Sequence, residues 1–184
     1  MIISISGMPG AGKSTVAKII SRKLSMKRYY VGGMRREIAR KRGMNLDQLN
    51  EIGENEPWTD KEVDDFQKEL GKKEDNFIIE GRTSFFLIPH SFKVFLDVEF
   101  EVGAKRIYED VRSNTKRNES RYADEKETAE AIRRRLKSDI KRYRKYYDVD
   151  IHDKGCFDLV LDTTSMKPEG VAEKIISEFR KKSE

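Results

Sequence analysis

The sequence predicts a single α/β domain, a five-stranded parallel sheet with helices on both faces. Three observations predict it. Short apolar runs alternate with stretches whose apolar residues recur at helical spacing. The chain has 184 residues, which suits one such domain and leaves little room for a second. The first apolar run leads through a glycine-rich turn straight into a helix.

The elements follow in order. Met1-Ile2-Ile3-Ser4-Ile5-Ser6 reads as a buried strand. Gly7-Met8-Pro9-Gly10-Ala11-Gly12-Lys13-Ser14 is the turn, and Val16, Ile19, Ile20 and Leu24 behind it repeat as one helix face. Tyr29-Tyr30-Val31 is the second strand, ended by Gly32-Gly33. Met34 to Arg42 reads as a basic helix stopped by Gly43, and Asn45 caps a short helix from Leu46 to Ile52. Thr59 and Glu62 have capping-box spacing and open a helix to Leu70, stopped by Gly71, with Val63, Phe66 and Leu70 on its apolar face. Phe77-Ile78-Ile79 is the third strand and delivers Glu80-Gly81-Arg82. Lys93 to Val98 is the fourth and delivers Asp97, before a helix from Glu101 to about Val111. Ser113 to Asp124 is polar and aperiodic and reads as a mobile loop. Glu125 to Tyr147 is a long helix with Ile132, Leu136, Ile140, Tyr143 and Tyr147 as its apolar stripe. Asp158 to Leu161 is the fifth strand, and Pro168 starts a last helix that packs Val171, Ile175, Ile176 and Phe179. The expected organisation is a core of residues 1–31, 72–112 and 148–184, an insertion at 32–71 and a lid region at 113–147.

The turn reads G-x-x-x-x-G-K-[ST], and its strand–turn–helix setting identifies it as a phosphate-binding P-loop. The fold class is therefore the P-loop NTPase fold. Glycines let the backbone wrap a phosphate chain without a Cβ in the way. Successive N–H groups form an anion nest, and the helix points its positive end at the same charge. Gly7, Met8, Pro9, Gly10, Ala11, Gly12, Lys13, Ser14 and Thr15 are thus the candidate nucleotide-binding residues. Lys13 is placed for the β- and γ-phosphates, and the Ser14 hydroxyl for a metal ion. ATP and Mg²⁺ are the expected cofactors.

Composition narrows the class. Lys and Arg number 38 against 33 Asp and Glu, a net charge of +5, which favours anionic partners, whether a small polyanion or a nucleic acid. The one cysteine, Cys156, excludes an intramolecular disulfide and fits a reducing compartment. No run approaches the roughly 18 apolar residues of a membrane span, and the first residues form a strand rather than a signal peptide. The expectation is a cytoplasmic protein without membrane contact. No N-K-x-D and no D-x-x-G in the order a GTPase switch needs is present. His90, His152 and Cys156 lack metal-ligand spacing and read as ordinary residues.

Three places aim positive charge at a second anion. Arg36 follows the Gly32-Gly33 pair, Arg82 ends the third strand, and Arg135, Asp139 and Arg142 fall at i, i+4 and i+7 on one face of the long helix. Arg82 and the P-loop share the carboxyl edge of the sheet, where open α/β sheets collect ligands. Arginine suits phosphate because its fork donates bidentately and keeps its charge. Other readings stand beside these. Arg36 lies among Arg35, Arg40, Lys41 and Arg42 and reads equally as a solvated charge, and the 135/139/142 face also reads as an ion-pair ladder.

From the P-loop to the last helix the chain resembles nucleoside monophosphate kinases and is most similar to archaeal-type cytidylate kinases. The residues that carry the resemblance are Ile5 to Ser14, then Gly32-x-x-x-Arg36-Glu37-x-Ala39 with Arg42-Gly43-Met44. Next come Pro57-x-x-Asp60-x-x-x-Asp64-x-x-Gln67 and Glu80-Gly81-Arg82. The tail matches at Leu96-Asp97, Asp150-Ile151-x-Asp153 and Asp158 to Thr163, and R-x-x-x-D-x-x-R matches at Arg135, Asp139 and Arg142.

The resemblance implies ATP-dependent phosphorylation of CMP or dCMP by a monomer acting on small molecules rather than on nucleic acid. It implies that Arg36 and Arg82 grip the acceptor phosphate and that Arg135 and Arg142 reach across when a lid closes. Asp139 would contact cytosine or orient the arginines. Asp60, Asp64 and Gln67, at i, i+4 and i+7, would line the nucleoside pocket; a solvated face is the alternative. Lys116 or Arg117 would add a contact to ATP, and Asp97 would hold a metal-bound water or simply cap its strand. The chain departs from the pattern at Arg35, where an apolar residue is expected, at Gly33, where Glu is expected, and at Thr83, which replaces the Asp after Gly-Arg in bacterial cytidylate kinases. The segment from Val111 to Lys126 is also longer and more polar than the archaeal type. A kinase of AMP, UMP or a metabolite such as shikimate, and a nucleic-acid-binding ATPase, remain the alternatives.

Overall fold

The computed structural model describes residues 1–113 and 122–182. Among them, β1 (Ile2–Gly7), β2 (Lys27–Tyr30), β3 (Phe77–Glu80), β4 (Phe92–Asp97) and β5 (Leu159–Asp162) form one parallel sheet in the order β2-β3-β1-β4-β5. The helices are α1 (Lys13–Leu24), α2 (Val31–Lys41), α3 (Leu46–Gly53), α4 (Trp58–Lys73), α5 (Ser84–Leu87), α6 (Phe100–Ser113), α7 (Glu125–Tyr147) and α8 (Pro168–Lys181). β1 is central, so its carboxyl end opens between those of β3 and β4, where the strand order reverses.

Alternation along the strands builds a core on each face. Ile3, Ile5, Ile78, Val94 and Leu96 point one way and meet Val16, Ala17 and Ile20 of α1 and Val171, Ala172 and Ile175 of α8. Ile2, Phe77 and Ile79 point the other way and meet Val31 of α2 and Val63 and Leu70 of α4. Each such side chain contributes about 1.5–3 kcal/mol on full burial. Helices on both faces and an all-parallel sheet are as the sequence predicts.

Several local expectations are corrected. Gly32 and Gly33 do not end a strand: β2 stops at Tyr30, and the glycines lie in the first turn of α2 beneath the Tyr30 ring. A Cβ on Gly33 would come within 2.7 Å of that ring. Thr59 is not a cap. Pro57 occupies that position, and the Thr59 hydroxyl donates to the Glu56 carbonyl at 3.2 Å inside the first turn. Gly71 does not stop α4, which runs to Lys73; the glycine gives Ile88 room to pack. Asn45 does cap α3, with a reciprocal pair of bonds to Gln48.

The apolar faces also differ. Phe66 and Ile140 are exposed, while α4 buries Asp60, Asp64 and Gln67 and α7 buries Ser138, Asp139 and Arg142. Periodicity places most of each apolar stripe, but it leaves open whether the polar residues beside them face solvent or a site; they are buried. Asp124 caps α7 by accepting from Glu127 N at 2.7 Å. Lys116 and Arg117 lie outside the described residues.

Candidate active site

The P-loop is shaped by what a side chain would hit. Gly7, Gly10 and Gly12 have φ of 137°, 79° and 80°, a region L residues rarely adopt. A Cβ on Gly7 would run into the Leu96 carbonyl of β4, and one on Gly10 into the backbone of Gly103 on α6. The loop is thus clamped between β4 and α6, with Met8 N bonded to Leu96 O at 2.9 Å. α1 opens at Lys13 with no side-chain cap, so its first N–H groups have no partner within the helix. Lys13 Nζ lies along the loop and donates to the carbonyls of Gly7 (2.8 Å) and Met8 (2.7 Å).

Beside it, the Ser14 hydroxyl donates to Glu80 Oε2 at 2.5 Å. Glu80, 3% exposed, ends β3 and is held from its other oxygen by Arg28. On the far side of the loop, Arg106 of α6 donates to Gly10 O (3.4 Å) and to the Thr163 and Thr164 carbonyls (3.1 and 3.0 Å). Thr163 in turn donates to Ala11 O at 3.2 Å.

The second half of the site is a buried chain of charges. Arg82 follows β3, and the Ser6 hydroxyl of β1 donates to its carbonyl at 3.4 Å, so it stands next to the P-loop. Its guanidinium pairs with Asp139 of α7. Asp139 also pairs with Arg142, Arg142 with Asp60 of α4, and Asp60 with Arg35 of α2. Five side chains therefore alternate as Arg35–Asp60–Arg142–Asp139–Arg82. Arg142 is wholly buried, and Asp60 and Asp139 are 2% and 1% exposed. Burial and the neighbouring Arg135 weaken Arg82's hold on its proton, with Arg142 and Arg35 adding to the repulsion. For Arg142 burial works in the same direction, but Tyr143 and Asp60 outweigh it and raise its pKa. Crowded guanidiniums of this kind suit a phosphate, which relieves their repulsion.

A polar network adjoins this chain. Asp64 accepts from Tyr147 Oη (2.6 Å), Gln67 Nε2 (3.0 Å) and Thr83 Oγ1 (3.2 Å), and Ser84 Oγ donates to Gln67 Oε1 at 2.6 Å. Burial pushes the Asp64 carboxyl up to about 6; Tyr147 and Thr83 oppose this and Asp60 reinforces it. Burial and the bond to Asp64 push the Tyr147 hydroxyl up in turn.

The structure brings together most of the residues singled out from sequence. Gly7 to Thr15, Arg82, Asp60, Asp64, Asp139 and Arg142 converge, and Arg135 is near enough to repel Arg82. The solvated-face reading of Asp60, Asp64 and Gln67 fails, because all three are buried. Asp139 and Arg142 do pair at i,i+3, but buried rather than as a solvated surface ladder. Arg36 is turned toward its own segment, donating to Tyr30 Oη (2.5 Å) and Gly32 O (3.0 Å). Asp97 caps its strand end, accepting from Val98 N at 2.9 Å and pairing with Lys154 at 2.6 Å.

Sequence reasoning misses Glu80, Arg106, Thr163 and Arg35 as site residues. Glu80 and Thr163 lie within the matched motifs, and Arg106 falls three residues after Gly103, on the helix turn that touches the loop. His152 also faces this edge: burial and the charges of Arg82 and Lys13 lower its pKa.

A backbone phosphate cradle facing a guanidinium cluster across one sheet edge defines a P-loop kinase. A family model described as "AAA domain" matches residues 3–133. Curated cytidylate kinases match along nearly the whole chain. That of Methanocella arvoryzae is 34% identical over 98% of this chain and 99% of its own length. Those of Archaeoglobus fulgidus (35%; 96% and 93%) and Sulfurisphaera tokodaii (36%; 97% and 94%) are similar. The chain belongs to the cytidylate kinase family. Among solved structures, a protein from Eubacterium ventriosum superposes with a TM-score of 0.70 at 17% identity, covering 96% of both chains. Shikimate kinase from Aquifex aeolicus does so with 0.58 at 24% identity, covering 100% of this chain and 98% of that one. These two show the fold.

Proposed function

We propose that the chain transfers the γ-phosphoryl group of ATP to CMP or dCMP, giving ADP and the diphosphate. The observation that carries this reading is the buried guanidinium cluster beside the P-loop, in a chain matched end to end by cytidylate kinases. The Gly7–Thr15 cradle binds the donor's phosphates and Lys13 reaches its β- and γ-oxygens. Arg82, Arg135 and Arg142 hold the acceptor phosphate and the transferring group, and Arg36 swings from Tyr30 to join them. Asp60, Asp64 and Asp139 line the nucleoside side. Residues 32–71 act as the acceptor-binding insertion and 113–147 as the lid over a core of 1–31, 72–112 and 148–184.

The attacking phosphate oxygen has a second pKa near 6, so at neutral pH it is largely ionised and needs no general base. The difficulty is bringing two polyanions together, which the cations of this site relieve. Lid closure keeps water from the phosphoryl group. Ser14 and Glu80 fit Mg²⁺: both offer oxygen, the donor such hard ions take, and they already touch at 2.5 Å. When bound there, the ion neutralises charge on the transferring phosphates. The enzyme works as a cytoplasmic monomer without nucleic-acid or membrane partners. No helix among the described residues is long and apolar enough to cross a membrane, and light scattering at assay concentration tests the monomer.

The test is coupled ADP release with Mg·ATP and CMP, dCMP, UMP, AMP or GMP against a no-acceptor blank. The expected result is strong turnover with CMP and dCMP. Turnover with AMP alone would overturn the base assignment, and ADP release in the blank alone would overturn the acceptor site.

A further inference from the structure

Arg35 is not placed to touch a substrate. It is 8% exposed, and its fork is engaged by Asp60, the Thr59 carbonyl (3.2 Å) and Asn50 Oδ1 (2.9 Å). Yet it is the outer end of the charge chain that leads to Arg82. Asp60 faces Arg35 with Oδ1 and Arg142 with Oδ2. A carboxylate shared between two guanidiniums neutralises each only in part. With Arg35 in place the chain holds three guanidiniums and two carboxylates, a surplus of one positive charge. Without it the surplus is gone, and Asp60 acts on Arg142 alone.

The packing fixes the same relationship mechanically. Asn50, which receives Arg35, offers its carbonyl to Ser138 of α7 at 3.5 Å. Gly53, one turn on, lies so close to Arg142 that a Cβ there would be 3.0 Å from Arg142 Cδ. Tyr146 Oη holds the Gly53 carbonyl at 3.0 Å. α3 therefore presses on α7 at the point where Arg142 crosses to Asp60.

We propose that Arg35 is a positioning residue for the acceptor phosphate: through Asp60 it sets how much of Arg142's charge is available to a substrate. The inference rests on the acceptor-site reading above and deepens it. Arg35 contributes nothing to the P-loop, so its effect falls on one substrate. Arg35→Met should raise the acceptor KM about tenfold, the size of coupling expected between neighbours in one ion-pair network. The KM for Mg·ATP should stay within about twofold. Arg35→Lys, which keeps the charge but loses the fork, should recover part of the loss.

The test is a double-mutant cycle on acceptor KM with wild type, Arg35→Met, Asp60→Asn and the double variant, CMP being the acceptor and melting temperature recorded for each. The expected result is that Arg35→Met has no further effect once Asp60 is neutral. An unchanged acceptor KM in Arg35→Met, equal rises in both KM values, or a full Arg35→Met effect on the Asp60→Asn background would each overturn the proposal. Should Arg35→Met fail to fold, Arg35→Lys takes its place in the same cycle with the same criteria. Should the wild type ignore CMP but use UMP or AMP, the base assignment fails and the cycle is read with that acceptor.

Discussion

The phosphate cradle at the end of β1 and the guanidinium cluster at the end of β3 share one sheet edge but are made of different material. The cradle is mostly backbone, nine consecutive residues whose glycines take φ angles that side chains rarely allow. The cluster is all side chain, drawn from α2, α4, α7 and the end of β3. The contrast teaches where each half is vulnerable. A backbone cradle is vulnerable chiefly at its glycines, at Lys13 and at Ser14. A buried chain of alternating charges fails as a unit, because removing one member leaves its neighbour unpaired; breaking a buried pair typically costs about 3–5 kcal/mol.

Lys13→Ala should have the largest effect. Its Nζ donates to the Gly7 and Met8 carbonyls of its own loop. Turnover should fall by about 10³-fold or more with little change in melting temperature. Wild-type turnover would remove the cradle from the chemistry. Arg82→Ala comes next and should raise the acceptor KM about 100-fold, leaving the Mg·ATP KM within about threefold. If both constants rise together, the two halves are not separable.

Asp64 gives a smaller effect with a definite sign. Its carboxyl is pushed from 3.8 up to about 6, chiefly by burial. The folded protein therefore holds this proton more tightly than the unfolded chain. The contribution is fully present below about pH 4 and is lost as pH rises through about 6. Asp64→Asn removes that slope, and urea melts from pH 4 to 7 should be flatter. Above pH 6 the variant should gain at most about 3 kcal/mol relative to wild type. An unchanged slope would mean that Asp64 titrates normally. The smallest effect belongs to Lys154→Ala, which strips an exposed partner from Asp97. It should leave turnover unchanged and shift the melting temperature by no more than ~2 °C. A large loss of turnover would give Asp97 a part in the site.

The same contrast explains what the sequence disclosed. The cradle was legible because its chemistry is contiguous: one strand, one turn and one helix carry it from Ile2 to Leu24. The five strands and the long α7 followed from periodicity. Charged residues were harder. Asp60, Asp64 and Gln67 fall on one helix face, but spacing cannot say whether that face meets water or arginines. In the sequence Arg35 stands out only as a charged residue at an apolar position, since its partners lie 15 to 25 positions away. Glu80 was visible in a motif, yet only the pairing of β3 with β1 brings it to Ser14. The strand end expected at Gly32-Gly33 and the cap expected at Thr59 both fall inside helices, because glycine and threonine signal element ends only when packing does not claim them first.

Phosphoryl transfer by this chain ends on a nucleotide and not on water. Phosphorus NMR of the wild-type protein with Mg·ATP and CMP tests it most directly. Growth of ADP and CDP resonances together, without inorganic phosphate, is the expected result. ADP and inorganic phosphate appearing in equal amounts with CMP untouched would make the chain an ATPase and contradict the claim.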